Sequence, residues 1–111
     1  MENLSKFTTK SKIKVSVDSI WFSIPKENKF IGECEVSNNP KSSAHDDTSE
    51  LDNLIKYFIE NNKKYIGALP VYRVFGVNIS ESDFEDNTAC AWIKFNSFGQ
   101  WPEIWFKIDR I

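Results

Sequence analysis

The sequence predicts an α+β domain: a mostly antiparallel five-stranded sheet in the order ββ-α-βββ, with one amphipathic helix packed on one face. Three observations predict it. Apolar and polar residues alternate in five segments, the period of half-buried strands. One segment between the second and third strands has a 3.6-residue period instead. Pairing the last two strands about their loop brings complementary side chains opposite one another on both faces.

The first strand begins at Lys12, with Ile13, Val15 and Val17 on one side and Lys12, Lys14 and Ser16 on the other. The phase flips near Asp18-Ser19, because Ile20, Phe22 and Ile24 are even-numbered, which predicts a bulge or bend. Pro25 to Lys29 reads as a turn and Phe30 to Val36 as the second strand. Setting Ile24 opposite Phe30 places Phe22 opposite Gly32 and Ile20 opposite Cys34, a hairpin with its apolar residues on one face. Residues 37–48 form a polar loop.

The helix follows. Leu51, Leu54, Ile55, Phe58 and Ile59 make one apolar stripe. Thr48 or Ser49 fits the N-cap, Glu50 and Asp52 suit the positive end of the helix dipole, and Asn61 to Lys64 suit the other end. Tyr65 to Ile79 is rich in β-branched and aromatic residues, and Pro70 makes its start an edge or a break. Val71, Phe75, Val77 and Ile79 share a face, with Arg73 among them, where a carboxylate partner is expected. Glu81 to Asn87 reads as an acidic loop.

Thr88 to Asn96 and Trp101 to Ile111 are the last strands, joined by the four-residue loop Ser97–Gln100. Asn96 opposite Trp101 sets Ile93 against Ile104, Ala91 against Phe106 and Ala89 against Ile108. The other face then pairs Lys94 with Glu103 and Trp92 with Trp105.

The 111 residues fit a single domain spanning 1–111, with 1–10 expected to fray. Hydrophobic residues at 41% and charged residues at 27% place the chain among globular proteins rather than disordered ones. No apolar run approaches the ~20 residues of a membrane helix, and Met1 to Lys14 lacks the apolar centre of a secretory signal. The expectation is a cytoplasmic protein with Cys34 and Cys90 reduced and structural.

Chemistry-bearing motifs are missing. His45 is the one histidine, so a zinc site of several Cys and His ligands is not expected. There is no glycine-rich phosphate loop and no nucleophile elbow. The chain is read as carrying no cofactor and no metal, and as not an enzyme.

Two stretches concentrate acids. Asp46, Asp47, Glu50, Asp52 and Glu60 stand against Lys56 alone, and Glu81, Asp83, Glu85, Asp86 and Glu103 against Lys94 alone. On one rim they would form a negative surface that steers a basic partner. Trp92 and Trp105, with Trp21 on the first strand, would lie on the face the helix leaves uncovered, where indoles serve as interface anchors. Lys6, Lys10, Lys12 and Lys14 could touch phosphate, but lysines are also how edge strands resist strand addition. The overall acidity argues against nucleic acid as the main partner.

In size, composition, acidic loops and lack of catalytic motifs the chain resembles small bacterial immunity proteins, which neutralise cognate toxins of contact-dependent growth inhibition and related systems. The resemblance implies a cytoplasmic antitoxin that acts by protein–protein interaction. It would block a toxin domain, such as a basic nuclease, through Asp46, Asp47, Glu50, Glu81, Asp83, Glu85, Asp86, Trp92 and Trp105. Three alternatives stay open: a nucleic-acid-binding or regulatory module using the Lys-rich first strand, a ligand-binding or enzymatic domain involving His45 or Arg73, and a homodimer joined through the tryptophan face.

Overall fold

A computed structural model describes residues 9–18, 22–38, 47–67 and 69–111, with the backbone alone over 69–75. Five strands, β1 (Thr9–Val17), β2 (Phe30–Asn38), β3 (Leu69–Asn78), β4 (Cys90–Asn96) and β5 (Glu103–Arg110), form one sheet in the spatial order β2-β1-β5-β4-β3. Every neighbouring pair is antiparallel. Helix α1 (Ser49–Asn61) packs on one face, and a short helix α2 (Glu81–Glu85) precedes β4. This is the α+β architecture that the periodicities predict.

The core lies between α1 and the sheet. Ile13, Val15 and Val17 of β1, Ile104, Phe106 and Ile108 of β5, and Ala91 and Phe95 of β4 are buried with Leu51, Ile55 and Phe58 of the helix. Phe58 meets Phe106 edge-to-face, with ring centroids 5.6 Å apart. Burying each large side chain of this kind stabilises the fold by about 1.5–3 kcal/mol. The predicted stripe is thus the buried side of α1, with Leu54 and Ile59 at its margins. Asn62, its C-cap, is also buried; its amide donates to the Phe58 carbonyl at 2.8 Å and accepts from Asn28 at 2.9 Å.

The β4–β5 register is as expected: Ile93 opposite Ile104, Ala91 opposite Phe106, Trp92 opposite Trp105, Lys94 opposite Glu103. The turn is tighter than the four-residue loop. Ser97 and Gln100 bond to each other, leaving Phe98 and Gly99 as central residues with φ of 49° and 85°. Two positive φ values in a two-residue turn match the right-handed twist of the flanking strands.

The first hairpin is different. β2 pairs with residues 9–16, placing Ile13 opposite Cys34 and Val15 opposite Gly32. The expected partner, Ile20 to Ile24, does not hold that place: Phe22 turns onto Phe95 at 5.3 Å and Ile24 is buried, while Ile20 lies outside the described residues. Both pairings put the same face of β2 on the core, so alternation alone could not choose between them. The observed one also sets Lys12 opposite Glu35 and Lys14 opposite Glu33. A register irregularity falls between Val15 and Ser16, and Ser19, at the expected bend, lies outside the described residues.

Two more expectations are corrected. β1 lies inside the sheet, between β2 and β5, so its lysines do not guard an edge. Lys14 stands between Glu33 and Asp109, so cross-strand pairing accounts for its charge. Residues 81–87 are not simply a loop. Ser80 and Asp83 form a reciprocal capping box that starts α2. Pro70 does mark an edge strand, since β3 is outermost and its ladder is irregular between Pro70 and Phe75.

Gly32 fixes how closely α1 approaches β2. Its φ is +144°, and a Cβ there would lie 2.9 Å from Leu54 Cδ1. Gly32→Ala is expected to destabilise the fold by about 1–3 kcal/mol through backbone strain and overpacking. In a Leu54→Ala background the same change should cost less, because the clash is gone and only the strain remains. Denaturant unfolding of the four proteins measures both terms.

Candidate functional site

The register places both acidic segments at one end of the sheet. The end of β2 leading to α1 lies beside the start of β1, the end of β5, the start of β4 and the end of β3. From that end rise the N-terminus of α1, with Asp47, Glu50 and Asp52, and the whole of α2, with Glu81, Asp83, Glu85 and Asp86. Asp47, Glu50, Glu85 and Asp86 are exposed. Asp46, His45, Trp21, Lys6 and the Arg73 side chain fall outside the described residues.

Several of these acids also have structural partners. Asp47 accepts from the Ser49 amide at 3.1 Å and its hydroxyl at 2.7 Å, which holds its carboxyl below the usual carboxylate range. Glu50 accepts from the Glu35 amide at 3.4 Å. Asp83 is taken up by the capping box. Glu81 pairs with Arg110 at 3.0 Å, and the Arg110 guanidinium lies 4.3 Å above the Phe84 ring. Asp52 is half-buried; burial pushes its carboxyl up, the Asp47 charge adds to this, and the Lys56 charge opposes it.

Trp92 and Trp105 stack on the face opposite α1, with ring centroids 4.9 Å apart and planes inclined by 18°. Trp105 is 39% exposed, and its Nε1 donates to Glu103 at 2.8 Å. A Cβ on Gly76 would meet the Trp92 ring within 2.0 Å, so the indole lies flat on that glycine. Gly76 was missed in the sequence, although a glycine inside a strand is the usual mark of a close approach. Also missed were Arg110 and Phe84, which meet only in space.

The acidic end and the indoles share the β4–β5 hairpin. Trp92 stands three residues, or about 10 Å along the strand, from Ala89, which precedes β4 and follows the end of α2 by four residues. They do not share a face: Phe84 packs toward the core side, whereas the indoles occupy the open side.

Among the described residues no group of three His, Cys, Asp or Glu side chains is arranged to hold a metal ion, and no helix is long and apolar enough to cross a membrane. Cys34 points into the core and Cys90 to the opposite face, and both are free thiols. Burial pushes Cys34 up to about 11, with the Glu50 charge adding to it. No protein-family model, curated protein or solved structure matches the chain.

Two outcomes follow from these environments. Gly76→Ala should unseat Trp92, abolish the coupled-indole signature in near-ultraviolet circular dichroism and lower stability by about 1–3 kcal/mol. Cys34 keeps its proton in the fold above the pH at which an unfolded thiol loses it. Its contribution is therefore fully present below about pH 9 and lost as pH rises through about 11. Cys34→Ala should flatten that part of the alkaline stability profile relative to the parent chain.

Proposed function

We propose that the chain is a protein-binding inhibitor of the immunity type, a bacterial antidote that grips a basic toxin domain over the end of the β4–β5 hairpin. The observation that carries this reading is that the exposed acids Glu85 and Asp86 lie at the end of the sheet from which β4 starts, on the hairpin that bears the stacked indole pair on its open face. Long-range attraction to Asp47, Glu85 and Asp86 steers the encounter, and the indoles supply apolar area once contact is made. A basic nuclease suits such a surface, because carboxylates can occupy the positions of substrate phosphates.

The open face does not favour nucleic acid. Lys12 and Lys14 stand opposite Glu35 and Glu33, so little basic field remains for a phosphate backbone.

The test first asks whether the neighbouring reading frame encodes a toxin domain, and then uses that domain as the partner. Reversing Glu85 and Asp86 to Lys should leave melting unchanged and slow association about tenfold at low salt, with the difference shrinking at high salt. Trp105→Ala should cost about 2 kcal/mol of binding, chiefly in the dissociation rate. Unchanged kinetics in both variants, or failure of the chain to protect cells co-expressing that toxin, would remove the reading.

A further inference from the structure

We propose that the outer edge of β2 is a second docking site, which takes an extended protein segment of alternating basic and apolar residues. Like the inhibitory reading it rests on a protein partner, but it uses the other side of the sheet.

The backbone defines the first requirement. Among the described residues no strand lies outside β2. The outward groups of Ser37 exchange hydrogen bonds with Asp47 at 2.8 and 3.0 Å, and the Glu35 amide donates to Glu50. Antiparallel pairing alternates in direction, so the next outward-pointing amide and carbonyl belong to Glu33. The far half of the edge is thus closed by Asp47 and Glu50, and the near half is left to pair with an added strand.

Side chains define the rest. Beside the near half lies a groove of about 240 Å³, lined on one part by Phe30, Ile31, Tyr57 and Phe58 and on the other by Glu27 and three asparagines. Phe30 is 58% exposed and Tyr57 70% exposed. An added strand would place every second side chain over this groove, where apolar residues would meet the exposed Phe30 and Tyr57 rings. Its other side chains would fall on the open face, beside Glu33 and Glu35. There a basic residue would share Glu33 or Glu35 with the β1 lysine already on its inner side, as opposite charges pair between neighbouring strands.

β1 meets the same demands from the inner side, with Lys14 opposite Glu33, Lys12 opposite Glu35 and Ile13 between them. The segment Thr9–Val17, TKSKIKVSV, is therefore the natural probe. A second copy of the whole chain is disfavoured, because antiparallel pairing of two β2 edges about Glu33 sets like charges opposite one another.

The experiment is an NMR titration of the labelled full chain with that nine-residue peptide, and with a control in which its lysines are glutamates. Saturable shifts are expected at the amides of residues 31–35, with no saturable binding of the control. Glu33→Gln or Glu35→Gln should weaken binding roughly threefold to fivefold, and Tyr57→Ala about tenfold, with melting of each variant checked. The proposal fails if the peptide does not saturate at millimolar concentration, if the control binds equally, or if the shifts fall on Trp92 and Trp105. It also fails if the peptide displaces β1, or if the chain alone self-associates through this edge. A chain that binds the peptide but not the toxin would retain the edge and lose the inhibitory reading; the reverse result would lose the edge alone.

Discussion

A thirteen-residue helix cannot cover a five-stranded sheet, and most of what is distinctive here follows from that mismatch. Such a helix is about 20 Å long and about 10 Å across, whereas five strands span about 19 Å between their outer axes. α1 rests chiefly on β2 and reaches β5 through the Phe58–Phe106 contact. The β4 side of the core needs other cover. Phe22 supplies it against Phe95, Phe84 packs at the acidic end, and Ile66, just beyond the helix, is fully buried. Connecting segments thus complete the core, and this is why Phe22 and Ile24 are apolar without belonging to a sheet strand.

Among the described residues, the same mismatch leaves the second face without a layer. Its charged portion is neutralised from within, since Lys12, Lys14 and Lys94 each stand opposite a carboxylate on a neighbouring strand. Exposed pairs of this kind contribute little stability individually, about 0.2–1 kcal/mol. Their larger effect is to fix register and keep the face soluble. The indole pair differs in kind. Trp92 is seated on a residue with no side chain and Trp105 is tethered to Glu103, so the aromatic area is held rigid before any partner arrives.

Local pattern revealed the elements whose partners are close in sequence. The α1 stripe and the β4–β5 register could both be read because the helix needs no distant partner and the hairpin closes over two residues. The Lys94–Glu103 and Trp92–Trp105 pairs then tested one register on two faces. The partner of β2 could not be read in this way. Alternation fixes which face of a strand is buried but not which strand lies beside it, and two upstream segments met the same condition. α2 was hidden by its acidity, although Ser80 and Asp83 stand at capping-box spacing; five residues give too little periodicity to outweigh a charge run. Of the candidate site, the indole pair was legible and its glycine seat was not, because that contact joins β3 to β4 across a ten-residue strand with a broken ladder.

The acids at the sheet end illustrate why composition alone is a weak guide to a binding surface. Asp83 starts a helix, Glu81 anchors Arg110 over Phe84, and Asp47 orders the entry to α1. A hydrogen bond to a carboxylate leaves its charge in place, however, and the field at a distance is the sum of charges whatever their local partners. Among the described residues Glu81 alone of these three is paired with a cation, so Asp47 and Asp83 keep their charge even where they have structural work. Structural and steering roles are then not competing explanations of the same residues. The capping and turn contacts hold the carboxylates in fixed positions, and fixed charges lose less entropy on meeting a partner than mobile ones do.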